Sequence, residues 1–374
     1  MPGNPLHNAI RSSFLELPPE HFTALEITID SILTSTPKTF SIYEPLLLLP
    51  AHIFRSSQWT SLLDVLETRQ KNAFFAHLGR SMKVTHIALN SPISLTSSSS
   101  YDSNEVPQEN IQRRPNITPL HGDFGLFVSA NPTTSDMNKA LWVSTRQNGI
   151  LQTWAPLYTM FSRGNITEKA RLLSLPSVRS TAEEGCTAVD LYAGIGYFVF
   201  SYAKAGVGKV VGFEINGWSI EGLRRGAEEN GWPVRVVEGE GVGWAEDGEK
   251  IVVFEMGNES AGGIIERARG RLPPVRHVNL GLLPTSNGAY ATAVQCLDLE
   301  LGGWLHVHEN FEVKEIEIRA AAVVEEIGQL AVNLKGEGWR VNLEHVERVK
   351  TYAPGVMHCV LDIHVFASLS KDFT

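Results

Sequence analysis

The chain has 374 residues, 43% hydrophobic and 20% charged, with a formal net charge of −9. That length suits two domains, and the composition excludes a disordered chain. No run approaches the roughly 18 apolar residues of a membrane-spanning helix. Met1-Pro-Gly-Asn-Pro-Leu6 lacks the basic and apolar regions of a signal peptide. Cys186, Cys296 and Cys359, with no CxxC pair, predict a reducing compartment without a disulfide framework or zinc site, so a cytoplasmic protein is expected. The negative charge does not decide on a polyanionic partner. Phosphate binding needs only a local basic patch, and Glu309, Glu312, Glu315, Glu317, Glu325 and Glu326 concentrate acid in one segment, read as a helix.

In chain order, the periodicity predicts helices over 21–32 and 59–72 and a strand over 83–89. The serine-rich stretch 91–104 reads as a loop. These elements make residues 1–150 a smaller α+β domain, followed by a second domain over 151–374. There the pattern becomes regular: strands over 187–192, 209–215, 234–237, 275–283 and 303–308 alternate with helices over 197–205, 218–230, 261–271, 289–299 and 313–334. Two last strands, 340–349 and 358–366, flank the turn Tyr352-Ala-Pro-Gly355. Alternating β and α with continuous apolar strands predicts an α/β fold, a Rossmann-like doubly wound sheet. The terminal strand hairpin is the arrangement of class I methyltransferases.

The loop Asp190-Leu-Tyr-Ala-Gly-Ile-Gly196 leaves the first of these strands, where such sheets bind ligands. Gly194 and Gly196 make either a tight strand-to-helix turn or a close approach to a ligand. A dinucleotide fingerprint needs a third glycine where Val199 stands, which disfavours a pyrophosphate. Glu214 ends the second strand, where a carboxylate is either a solvated acid or an acceptor for both ribose hydroxyls. Glu240 and Gly241, at the exit of the third predicted strand, are candidates for contacting adenine. Together with Asp190 and Tyr192 these residues describe an adenosine pocket without phosphates, which fits S-adenosylmethionine better than NAD or ATP.

Several stretches resemble the tRNA wybutosine-synthesising protein 2 family, the aminocarboxypropyl transferases, especially its fungal members. They are Val84-Thr-His-Ile-Ala-Leu-Asn90, Leu141-Trp-Val-Ser-Thr-Arg-Gln-Asn-Gly149, the segment 154–169, Asp190 to Phe198, His277-Val-Asn-Leu-Gly-Leu-Leu-Pro-Thr-Ser286, Trp304-Leu-His-Val-His-Glu-Asn310 and Val349-Lys-Thr-Tyr-Ala-Pro354. The resemblance implies transfer of the 3-amino-3-carboxypropyl group of S-adenosylmethionine to 4-demethylwyosine beside the anticodon of phenylalanine tRNA. It also implies that Ser162 and Lys169 belong to the cofactor site. Read without it, Asn165-Ile-Thr-Glu168 is equally a helix cap that they merely flank. The chain departs from the family after Glu214, where Gly217 replaces a proline, and at Gly239-Glu-Gly241, where Gly-Asp-Asn is usual. A tRNA guanine N1-methyltransferase with the same pocket and a non-catalytic tRNA-binding protein are the alternatives.

For the proton that must leave the base, His308 is the first candidate, with His306 and His277 behind it and Asn279 as an orienting group; a core position is the alternative for each histidine. Expected tRNA contacts are Arg146, Arg163, Lys169, Arg171, Arg224, Arg225, Arg348 and Lys350, with Tyr352 for stacking. The first domain is expected to help grip the tRNA. A monomer without metal or membrane attachment is expected.

Overall fold

The computed structural model describes residues 3–91, 96–97, 108–109, 115–125, 132–239, 241, 244–245 and 248–368. Most of the serine-rich stretch, and Glu240, lie outside the described residues. The chain divides into two compact units, Met1–Thr145 with Thr153–Phe161 and Arg146–Gln152 with Ser162–Thr374. A single cut at 150/151 is therefore replaced by a chain that changes unit three times. Among the described residues no helix is long and apolar enough to cross a membrane.

In the first unit, helices α1 (Pro5–Ser13), α2 (Pro19–Ala24), α3 (Ile29–Ser35), α4 (Ser57–Val65) and α5 (Thr68–Met82) accompany a four-stranded sheet. Its strands are β1 (Ser41–Tyr43), β2 (Leu46–Pro50), β3 (His86–Ser91) and β4 (Asn116–His121), in that order. Each helix expected from periodicity is in fact two. Glu26 at φ 52° breaks the first, and Thr28 restarts it with a reciprocal cap on Ser31. Glu67 and Gln70 restart the second in the same way. Leu6, Ile10, Phe14, Trp59, Phe74 and Leu78 fill the core.

Strands β5 (Val143–Gln147) and β6 (Ile150–Trp154) form a hairpin whose tip belongs to the second unit. Asn148 and Gly149 close it at φ 53° and 71°, the two positive values that a type I′ turn requires.

The second unit contains α7 (Ile166–Ser174), α8 (Pro176–Glu184), β7 (Thr187–Asp190), α9 (Val199–Ala205), β8 (Lys209–Glu214), α10 (Gly217–Glu229), β9 (Val234–Val237) and β10 (Ile251–Glu255); α6 is Thr134–Lys139, before the hairpin. It continues with α11 (Ala261–Ala268), β11 (Val275–Leu280), α12 (Tyr290–Cys296), β12 (Gly303–Glu312), α13 (Ile316–Lys335), β13 (Trp339–Ala353) and β14 (Val356–Ala367). Eight strands form one sheet in the order β9-β10-β8-β7-β11-β12-β14-β13. The pairs from β9 to β12 are parallel, and β14 runs antiparallel to both β12 and β13.

Alternation along the strands builds a core on each face. Val189, Val211 and Val252 pack with α11, α12 and α13, while Ala188, Val210 and Val253 pack with α8, α9 and α10. Strand β10, absent from the sequence reading, is the main addition: Ile251-Val-Val-Phe254 is fully buried and pairs directly with β8. Glu309 and Glu312 lie on β12, not in the helix to which their acidity assigned them.

Candidate functional site

The strand order reverses around β7, which has β8 on one side and β11 on the other. Crevices outside the carboxyl ends of strands at such a point are where these sheets bind ligands. Asp190 ends β7 fully buried. Its Oδ1 accepts from Tyr192 N at 3.1 Å and Asn279 Nδ2 at 3.2 Å, while its buried Oδ2 has no hydrogen-bond partner. Burial raises the Asp190 carboxyl to about 7, against the pull of those two bonds and with a push from Glu214. An acid in this state gains by meeting a cation.

Gly194 and Gly196 sit at φ 54° and 91°. A β-carbon on Gly194 would lie 2.9 Å from the Tyr197 ring, and one on Gly196 2.6 Å from the Phe200 ring. Both glycines are thus required by the turn, and the turn in turn aims Gly194 N at Glu214. Glu214 Oε2 accepts from Gly194 N at 2.8 Å, and Oε1 accepts from Ile215 N and Asn216 N, each at 2.9 Å. A carboxylate has about four acceptor positions, so capacity for a hydroxyl donor remains. Burial nonetheless raises the Glu214 carboxyl above its ordinary value.

The neighbour of β8 is β10, so the exit beside Glu214 is Met256-Gly-Asn258, not the exit of β9. Asn258 Nδ2 donates to Leu191 O at 2.9 Å. Of the two expected adenine-contacting residues, Gly241 follows the edge strand β9, one strand further out than Asn258, and Glu240 lies outside the described residues. The unrecognised signal was the apolar run 251–254, hidden behind a glycine-rich acidic stretch.

Ser162 and Lys169 converge on the glycine loop through Tyr197. Ser162 N donates to Tyr197 Oη at 3.2 Å, and Lys169 Nζ lies 5.5 Å from the centre of its ring. Lys169 is 3% exposed and donates to Gln147 Oε1 at 2.6 Å and Gln152 Oε1 at 2.9 Å. Burial, helped by the charge of Lys350, brings its ammonium down to about 8. Asn165 stands at the N-cap position of α7, as the helix-cap reading expects, but makes no side-chain capping bond. The two glutamines were missed: one stands inside a family-like stretch, yet nothing in a sequence marks an amide as the partner of a buried lysine.

The histidines divide into two groups. His277 joins Thr181 Oγ1 at 2.8 Å and His306 at 3.1 Å, and His306 Nδ1 meets Asp362 Oδ1 at 2.7 Å. Arg171 extends this buried chain, donating to Asp362 Oδ1 at 3.0 Å and to both oxygens of Glu168 at 2.8 Å. Although burial opposes ionisation, the bonds to His306 and Arg171 hold the Asp362 carboxyl well below the carboxylate range. These residues tie α7 to the sheet, the core fate that was the alternative for His277 and His306. His308 pairs with His358 at 3.0 Å and meets Phe198 edge-on at 4.9 Å. Burial, then the neighbouring His358, push His308 well below its ordinary value, so it is neutral at pH 7. Asn279, opposite Asp190 in the sheet, positions that carboxyl. Glu309 Oε1 accepts from Thr285 Oγ1, Ser286 N and Tyr290 Oη at 2.9, 2.9 and 2.6 Å, fixing the loop that follows β11.

Of the expected tRNA contacts, Lys169 and Arg171 are committed to the interior, and Arg224 and Arg225 pair with Glu221. Arg146, Arg163, Arg348 and Tyr352 are exposed. Among the described residues no group of three or more His, Cys, Asp or Glu could hold a metal ion.

No protein-family model matches the sequence. The chain is 40% identical to tRNA wybutosine-synthesizing protein 2 of Schizosaccharomyces pombe, over 91% of this chain and 75% of that protein. It is 30% identical to the protein of the same name from Saccharomyces cerevisiae, over 92% and 77%. Its fold is similar to that of P. horikoshii TYW2, solved in complex with MeSAdo, with a TM-score of 0.59, 18% identity, and coverage of 97% of this chain and 100% of that one. The likeness to the two yeast proteins, extending over most of each, shows that the chain belongs to the tRNA wybutosine-synthesizing protein 2 family.

Proposed function

We propose that the protein transfers the 3-amino-3-carboxypropyl group of S-adenosylmethionine to 4-demethylwyosine in phenylalanine tRNA. Family membership and the MeSAdo bound to the P. horikoshii neighbour support the co-substrate. The observation that supports an anchored methionyl chain is Lys169, a buried ammonium held by two neutral amides against the tyrosine of the glycine loop. Such a group is suited to a carboxylate, which only the transferred fragment of the co-substrate possesses.

The residues present fit this ligand. Gly194 and Gly196 keep β-carbons out of the loop, Glu214 accepts ribose hydroxyls, Asn258 takes the position beside adenine, and Asp190 with its orphaned Oδ2 draws the α-ammonium. When bound, S-adenosylmethionine supplies a sulfonium whose three carbons are all electrophilic. Lys169 and Ser162 hold the carboxylate end, so that the side-chain carbon faces the base. A carbon–carbon bond then forms, the sulfur–carbon bond breaks with its electron pair left on sulfur as methylthioadenosine, and the base carbon loses a proton. His308, neutral at pH 7, is the candidate to receive it. Arg146, Arg163, Arg348 and Tyr352 make the tRNA contacts of the second unit, and the first unit grips the remainder.

The test is chromatography of the nucleoside released when the protein acts on tRNA from cells lacking this activity. Methylthioadenosine is expected. S-adenosylhomocysteine would establish the guanine methyltransferase instead, and failure to bind the co-substrate would leave a tRNA-binding protein.

A further inference from the structure

The tip of the β5–β6 hairpin is pinned from three sides. Asn148 Nδ2 donates to Ile166 O at 3.0 Å on α7, and Lys204 Nζ of α9 donates to Asn148 O at 2.9 Å. Asn230, just after α10, bonds both backbone groups of Leu151, at 2.7 and 3.0 Å. In a hairpin closed by two residues, position 147 stands opposite 150, and 152 follows on the same face. Gln147 and Gln152 therefore present their amides to one side, and Lys169 Nζ bridges them.

A lysine stem is flexible, and fixing it costs rotamer entropy. Two acceptors on a pinned hairpin select one conformer before any ligand arrives. Because both acceptors are amide oxygens, they hold the ammonium without neutralising it. A carboxylate at either position would satisfy the charge internally and compete with an anionic ligand. We propose that Gln147 and Gln152 are positioning residues that aim Lys169 at the methionyl carboxylate and so favour transfer of the carboxypropyl chain over the methyl group. This rests on the carboxylate reading of Lys169 given above.

The test is equilibrium dialysis of the full-length protein with labelled S-adenosylmethionine and, separately, methylthioadenosine, which lacks the carboxylate. Gln152→Glu and Gln147→Glu are nearly isosteric. Each is expected to weaken S-adenosylmethionine binding about tenfold or more, the scale of one charge-assisted hydrogen bond, with methylthioadenosine within about twofold of wild type. Gln147→Leu, at the less buried position, serves if Gln152→Glu fails to fold, and it should weaken S-adenosylmethionine selectively as well. Unchanged S-adenosylmethionine affinity in the glutamine variants, with a loss in Lys169→Met, would overturn this proposal and leave the function standing. No loss in Lys169→Met would overturn both. A parallel loss of both ligands in the glutamine variants would make the two amides structural and overturn the positioning role.

Discussion

Replacing Lys169 with Met removes a charge that the folded protein holds out of water. Burial, helped by the charge of Lys350, lowers the ammonium from 10.5 to about 8 at a residue only 3% exposed. The charged native form is therefore penalised by about 3 kcal/mol at pH 7. Between pH 8 and 10.5 the unfolded chain still carries the proton that the native chain has released, so wild-type stability rises with pH across that window. The variant cannot titrate there. Losing the bonds to Gln147 and Gln152 costs on the order of 1 kcal/mol each, but this cost does not vary with pH. The stability of Lys169→Met relative to wild type should therefore fall by about 3 kcal/mol from pH 7 to 10.5. Urea unfolding followed by tryptophan fluorescence, at several pH values and with equal m-values, measures it. Parallel pH profiles would overturn this, because Lys169 would then be as well solvated in the folded chain as in the unfolded one.

Asp190, raised from 3.8 to about 7, keeps its proton in the folded chain after the unfolded chain has lost it, so stability falls as pH rises from about 4 to 7. Asp190→Asn should abolish that slope, worth roughly 3 kcal/mol between pH 4.5 and 8, in the same unfolding assay. Arg171→Met strips the buried Glu168 and Asp362 carboxylates of their shared cation and should cost about 3–5 kcal/mol in urea. Gly196→Ala meets both a left-handed backbone and the Phe200 ring at 2.6 Å; a loss of about 1–3 kcal/mol, read by thermal melting, is expected with weaker co-substrate binding.

The catalytic fold was legible because its strands are buried on both faces and read as continuous apolar runs, from Thr187–Asp190 to Gly303–Glu312. Strand Ile251–Glu255 has the same character and was passed over because a polar, glycine-rich stretch precedes it. That omission left the exit beside Glu214, at Met256-Gly-Asn258, out of the expected site. In the first unit, periodicity ran straight across Glu26 and Leu66, since it does not register a left-handed residue or a new N-cap within an amphipathic pattern. The glycine loop and Glu214 lie close in sequence and share one supersecondary unit, so spacing alone brought them together. Gln147, Gln152 and Lys169 meet only because a hairpin tip folds into the second unit. The fate of Arg171 was illegible for the same reason: Asp362 is supplied by the last strand of the sheet.

Which carbon of the co-substrate reaches the tRNA separates the carboxypropyl transferase from a methyltransferase. S-adenosylmethionine labelled either in its methyl or in its carboxyl carbon, incubated with the protein and tRNA from cells lacking the activity, decides it. Carboxyl label in the tRNA, with no methyl label, is the predicted result. Methyl label in the tRNA would exclude carboxypropyl transfer and mean that Lys169 holds the methionyl chain away from the base.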